Sequence, residues 1–231
     1  MAWMFQAFSR LVLRLYCPLH VFGQEHLPDR PYILCSNHAS HMDVVALMLA
    51  SGRPFTDFAM VAAQDYFFDR HRLQSAANLL FNLIPLERRA TQRQLMAHIE
   101  ACKRFLDGGG KALIIFPEGT RTPTGEMQAF KRGPAVVSTT LGLPLVPAYI
   151  DGTYRAWRKN NWFMRPRHIK VYFGPPVEPI ATSDAETPFA TYRRITEELE
   201  TRVHKLRERA KHGIGTDPHE MVGLGRRADG V

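Results

Sequence analysis

The chain has 231 residues, 45% hydrophobic and 23% charged, which is the composition of a globular protein able to bury a sizeable core and not that of a disordered chain or a polytopic membrane protein. Its three cysteines, Cys17, Cys35 and Cys102, are odd in number and form no CxxC pair, which argues against a disulfide framework and against a cysteine-held metal. The formal charge of +8 points to an anionic partner: nucleic acid, a phosphorylated small molecule or an acidic bilayer surface.

The N-terminus, "MAWMFQAFSRLVLRLYCPLHVFG", has no acid before Glu25, and Arg10 and Arg14 interrupt its apolar residues. A spanning helix needs about 20 mostly apolar residues, and a signal peptide would not carry arginines inside its apolar stretch. Trp3, Met4, Phe5, Phe8, Leu11, Val12 and Leu15 suit instead an amphipathic helix over residues 1–20, either lying in a membrane interface or packing on the protein's own core. A hairpin broken at Pro18 is the alternative to one helix. Downstream, apolar runs predict strands near 31–36, 57–62, 83–86, 112–116, 144–150 and 168–173, with helices near 41–51, 66–80, 91–107, 131–141 and 186–210. This alternation predicts a single α/β domain over 21–211, with a mostly parallel central sheet flanked by helices on both faces. "DGGG", 107–110, reads as a helix stop, and the glycine-rich 212–231 as a flexible tail.

Three polar clusters fall just beyond predicted strands: "SNHASHMD" after the first, "ERRATQ" after "LIPL", and "EGTRT" after "LIIFP". In open α/β sheets ligands bind there. His38 and Asp43 are too far round a continuous helix to be neighbours, but with His38 in a loop and Asp43 in the first helical turn the carboxylate can accept the imidazole Nδ1–H, leaving Nε2 as a general base. Two other readings stand beside this one: a capping box with Ser40 as N-cap and Asp43 three residues on, which alone would make the chain a non-catalytic lipid- or phosphate-binding module, and a metal site, as in a metal-dependent phosphoesterase, made of His38, His41 and Asp43. No serine or cysteine sits in a G-x-S-x-G context, so no covalent acyl carrier is evident. Phe116 to Gly133 supplies Glu118, Arg121, Lys131 and Arg132, which with Arg88 and Arg89 can gather cations around one phosphate.

These motifs resemble those of the PlsC-like glycerolipid acyltransferases, typified by 1-acylglycerol-3-phosphate acyltransferase. The N-H-x-x-x-x-D motif is matched by Asn37-His38 through Asp43, and F-P-E-G-T-R by Phe116 to Arg121. "LIPLER", ending in Arg88, is similar to a further motif but has Pro-Leu-Glu for the usual Phe-Ile-Asp; "LVPAYI", 145–150, resembles the fourth. The resemblance implies transfer of a fatty acyl group from acyl-CoA or acyl-carrier protein to the free hydroxyl of a lysophospholipid. It implies His38 as base and Asp43 as its orienting acid, with Arg88, Glu118, Gly119, Thr120, Arg121 and Lys131 around the acceptor. It implies no metal and no organic cofactor. Backbone N–H groups at the helix start are expected to stabilise the developing oxyanion. "RAWRKNNWFMRPR", 155–167, mixes Trp157, Trp162 and Phe163 with cations and is expected to dock on anionic lipid rather than on nucleic acid, placing the enzyme peripherally or monotopically on the cytoplasmic face of a membrane.

Overall fold

The computed structural model describes residues 2–63, 82–86, 91–158, 161, 163–180 and 187–213. In chain order these form α1 (Ala2–Leu15), β1 (Leu19–Phe22), β2 (Tyr32–Ser36), α2 (Met42–Ala50), β3 (Phe58–Ala63), β4 (Asn82–Leu86), α3 (Gln92–Asp107), β5 (Ala112–Ile115), α4 (Gly133–Leu141), β6 (Leu145–Asp151), the single turn α5 (Thr153–Ala156), β7 (Ile169–Phe173) and α6 (Pro188–Lys211). The strands make one sheet of order β1-β7-β6-β2-β5-β3-β4. Every neighbouring pair is parallel except β6 with β7. The expected helix at 66–80 and the tail beyond 213 lie outside the described residues.

The central strands β2, β5 and β6 are apolar apart from their last residues Ser36 in β2 and Asp151 in β6, because both faces of the sheet are covered. Side chains alternate across a strand, so in β2 Tyr32 and Leu34 join one core with α1 and α2, while Ile33 and Cys35 join the other with α4 and α6. β5 divides in the same way, Ala112 and Ile114 against Leu113 and Ile115. Gly108 ends α3, and Gly109 at φ 99° turns the chain into β5, as "DGGG" predicts. Thr91 begins α3 with a reciprocal capping box to Gln94, so part of the "ERRATQ" cluster is a helix start.

Two elements are absent from the sequence-based expectation. β1 is a four-residue edge strand inside what reads as the end of an amphipathic stretch, and its partner, Ile169 to Tyr172, lies about 150 residues downstream. α5 is one turn after Gly152 at φ 92°.

Both readings of the N-terminal helix bear on opposite sides of α1. Phe5 meets Phe55 edge-on with ring centroids 6.0 Å apart, and the Gln6 side chain bonds Arg53 O and Phe55 N–H, each at 3.3 Å. Ser9 and Leu13 are buried on the same side. Away from this face Trp3, Met4, Phe8, Leu11 and Leu15 are between 54% and 72% exposed. Among the described residues no helix is long and apolar enough to cross a membrane.

Candidate active site

The site lies beyond the C-terminal ends of β2 and β5. Asn37 follows β2 directly, and its side-chain amide bonds both backbone groups of Ile150 on β6, accepting from the N–H at 2.8 Å and donating to the C=O at 3.0 Å. The main chain then leaves the sheet, so His38 sits in a loop and Asp43 in the first turn of α2, as the spacing requires. His38 Nδ1 lies 2.9 Å from Asp43 Oδ2. A carboxylate can only accept from the ring, so Nδ1 carries the proton and Nε2 is the basic nitrogen. Among the described residues none bonds Nε2. The His38 side chain is 15% exposed and that of Asp43 1%, so the imidazole reaches the surface and the carboxylate beneath it is dry.

The loop and the imidazole share one atom of Asp43. Asp43 Oδ2 also accepts Ala39 N–H and Ser40 N–H, both at 2.7 Å, while Ser40 Oγ accepts Met42 N–H at 3.2 Å. This differs from the expected capping box: α2 has His41 and not Ser40 at its N-cap position, and Asp43 N–H is directed to the Ser40 main-chain O and not to Ser40 Oγ, so only the Asp43-to-Ser40 half of the box forms and the N–H groups of residues 39, 40, 42 and 43 already have partners.

Glu118, in the loop after β5, holds the other side of His38. Its Oε1 accepts His38 N–H at 2.8 Å and its Oε2 accepts Gln128 N–H at 3.0 Å, while Thr122 N–H donates to His38 O at 2.9 Å. Burial pushes the Glu118 carboxyl up to about 7; the two backbone donors pull it down, and the Asp43 charge adds to the rise. The Phe116 ring stacks on the imidazole, with centroids 3.8 Å apart and planes within 12°.

The cationic side is partly assembled. Gly119 stands at φ 72°, and a β-carbon there would come within 2.6 Å of Lys131 Nζ, so the ammonium lies directly over the glycine. Lys131 N–H is fixed to Pro117 O at 2.9 Å. Arg121 bonds His41 Nε2 through its guanidinium, and the His41 ring tilts toward Trp157 at 5.7 Å. Thr120 lies between Gly119 and Arg121 in the same loop, and Arg88 is outside the described residues. His41 thus meets an arginine, and among the described residues no three His, Cys, Asp or Glu side chains are grouped as a metal would need.

The basic aromatic segment divides. Phe163 is 84% exposed, but Trp157 packs on the core, donates Nε1–H to Asn161 O at 2.8 Å, and accepts Ser40 Oγ–H on its carbonyl at 2.8 Å. Trp157 therefore braces the dyad loop instead of standing free for lipid; Trp162 lies outside the described residues. Tyr16 Oη donates to Met164 O at 2.8 Å, which joins the Phe163 loop to the end of α1. Asn37 is the site residue to which the sequence reading assigned no contact. Asn37 stands inside the quoted motif, but its partner Ile150 is 113 residues away.

Residues 18–151, from the lead into β1 to the end of β6, match the family model described as Acyltransferase. The chain belongs to this acyltransferase family. The matched span contains both the His38–Asp43 loop and the 116–133 loop. The chain is 32% identical over 168 residues to the 1-acyl-sn-glycerol-3-phosphate acyltransferase of Limnanthes alba, covering 72% of this chain and 57% of that one. The enzyme of the same description from Cocos nucifera is 33% identical over 170 residues (73% and 52%), and that from Pseudomonas aeruginosa 31% over 159 residues (67% and 57%). The chain thus spans a little over half the length of these curated relatives. The crystal structure of the 1-acyl-sn-glycerophosphate acyltransferase PlsC from Thermotoga maritima matches this chain with a TM-score of 0.64 at 27% identity, covering 89% of this chain and 79% of that one.

Proposed function

We propose that this chain transfers a fatty acyl group from a thioester of coenzyme A or acyl-carrier protein to the free hydroxyl of 1-acylglycerol-3-phosphate, giving phosphatidic acid. The observation that carries the proposal is the His38–Asp43 pair: a buried carboxylate 2.9 Å from Nδ1, and an Nε2 with no partner among the described residues. The names of the relatives support the acceptor.

In this reading Nε2 takes the proton of the acceptor hydroxyl as its oxygen attacks the thioester carbonyl carbon. The C–O bond forms, the tetrahedral intermediate collapses, the C–S bond breaks, and the imidazolium returns its proton to the leaving sulfur. The products are an ester and a free thiol. Asp43 holds the ring in its tautomer and stabilises the transient imidazolium. No acyl-enzyme forms, and the three buried cysteines take no part. Neither a metal nor an organic cofactor is needed, because a base and a thioester complete the proton and electron bookkeeping. Arg121, Lys131 and Arg88 hold the acceptor phosphate, with Gly119 and Thr120 allowing close backbone approach. The exposed stripe of α1 and Phe163 rest on an anionic bilayer, where the acceptor resides.

The test is acyl transfer from an oleoyl thioester to lysophosphatidic acid in detergent micelles with EDTA present, read by mass spectrometry for wild type and His38→Ala. Phosphatidic acid from wild type, reduced at least about 10²-fold in the variant, is the expected result. Equal turnover in both proteins overturns the role of His38, and a requirement for added metal overturns the cofactor-free mechanism.

A further inference from the structure

Two side chains next to the dyad are built into the fold in a way that a substrate ligand is not. Asn37 is 6% exposed. In the parallel pairing of β2 with β6, Ile33 faces Leu145 and donates its N–H to Pro144 O at 2.9 Å. Continued along the strands, that ladder would have Ile150 N–H donate to the main-chain carbonyl of residue 37. It donates instead to Asn37 Oδ1 at 2.8 Å, and Asn37 Nδ2 donates to Ile150 O at 3.0 Å. Ser36 Oγ steadies the same Oδ1 at 3.1 Å. The side-chain amide supplies the next rung, and the main chain is released from the sheet at the residue before the base. Only a short side chain with one donor and one acceptor can do this.

On the opposite flank, where β5 lies, Glu118 is 2% exposed and each of its oxygens accepts a backbone N–H, one of them from His38 itself. A carboxylate is also the wrong charge to approach a phosphate ester. The order β6-β2-β5 means that the two residues grip the exit of the central strand from its two neighbours.

We infer that Asn37 and Glu118 are positioning residues for His38: Asn37 sets the point at which the chain leaves β2, Glu118 sets the orientation of the His38 peptide, and neither touches the acceptor. The inference rests on the acyl-transfer reading above.

The experiment is steady-state kinetics of the full chain with oleoyl thioester and lysophosphatidic acid, using Asn37→Asp and Glu118→Gln in wild-type and His38→Ala backgrounds. Asn37→Asp keeps size and shape but turns the donor facing Ile150 O into an acceptor. Glu118→Gln leaves only one acceptor oxygen for two N–H groups. Both are expected to lower kcat by up to about 10²-fold, the scale of a misplaced catalytic group, with the acceptor KM unchanged within about twofold. In the His38→Ala background the same substitutions are expected to change the residual rate by less than about twofold, since the base that they orient is gone. The downfield proton NMR signal of the His38 Nδ1–H is expected to move or broaden in both variants. A Glu118→Gln enzyme with raised acceptor KM and intact kcat overturns the inference in favour of a ligand role. Equal losses in both backgrounds overturn it in favour of a general structural role. If Asn37→Asp does not fold by circular dichroism, Asn37→Ser is judged by the same criteria. A wild type inactive on lysophosphatidic acid counts against the proposed function alone, and the Nδ1–H signal then decides the positioning role.

Discussion

His38 Nδ1 and Asp43 Oδ2 stand 2.9 Å apart, and that one oxygen also accepts the N–H groups of Ala39 and Ser40, while Asp43 Oδ1 is buried without a hydrogen-bond partner among the described residues. The carboxylate therefore organises the loop with one atom and supplies charge with the whole group. These tasks separate by substitution. Asp43→Asn can keep its carbonyl oxygen toward all three donors and turn its NH2 to the empty side, at a cost of about 1–3 kcal/mol for an unpaired buried donor. It is expected to fold but to lose about 10²-fold or more in kcat, because no charge then stabilises the imidazolium. Asp43→Ala strands two backbone N–H groups and is expected to be less stable still. Urea unfolding beside steady-state kinetics checks both, and an Asp43→Asn enzyme with wild-type kcat would remove the charge from the mechanism.

At Gly119 the backbone at φ 72° and the Lys131 ammonium above it both exclude a side chain. Gly119→Ala is expected to cost about 1–2 kcal/mol through left-handed strain. The new methyl would come 2.6 Å from Nζ, the flexible end of its chain, so the lysine is the group that yields. A displaced cation weakens the grip on the acceptor phosphate, so acceptor KM is expected to rise several-fold with a smaller change in kcat. The same KM for phosphorylated and unphosphorylated acceptors in wild type would show that no phosphate is held there.

Glu118 links the site to pH through folding. Its carboxyl is raised from an ordinary 4.5 to about 7, chiefly by burial, so the folded chain prefers the protonated form. Its contribution to stability is complete below about pH 4.5 and is lost as pH rises through about 7, since between those values folding takes up a proton. Between about pH 4.5 and about pH 8 the unfolding free energy of wild type is expected to fall relative to Glu118→Gln by at most about 3 kcal/mol. Paired urea titrations give the difference. The opposite slope would mean that the two backbone N–H bonds outweigh burial and keep the carboxylate ionised.

The sequence made the contact between His38 and Asp43 legible because its signals are local: an apolar run that must be a buried strand, then a histidine and an acid at a spacing that works only across a loop and a helix start. The doubly covered sheet was legible for the same reason. What stayed hidden depends on partners far along the chain. Asn37 reaches Ile150 across 113 residues and His38 N–H reaches Glu118 across 80, so no motif reveals that one amide replaces a ladder rung or that a glutamate of the F-P-E-G-T-R motif faces inward. The use of the helix-start N–H groups by Asp43 and Ser40 is likewise a matter of loop geometry that spacing does not encode.

The two faces of α1 make opposite predictions. Trp3, Phe8 and Leu11 are 72%, 62% and 54% exposed, so replacing all three with serine removes little packing and is expected to leave the melting temperature almost unchanged. Phe5, half-buried against Phe55, is different: Phe5→Ala is expected to cost roughly 1–3 kcal/mol, below the range for a fully buried phenylalanine. On the membrane side the order reverses. Each large apolar side chain transferred from water contributes about 1.5–3 kcal/mol, so the triple variant is expected to lose tenfold or more in binding to vesicles containing anionic lipid, while Phe5→Ala binds as long as it is folded. At about 100° per residue, Arg10 and Arg14 border the exposed stripe on the side of Trp3, so raised salt is expected to weaken wild-type binding without abolishing it. Vesicle flotation of the three proteins at low and high salt measures this. A triple variant that floats like wild type would mean that the exposed stripe of α1 is not the surface that meets the bilayer.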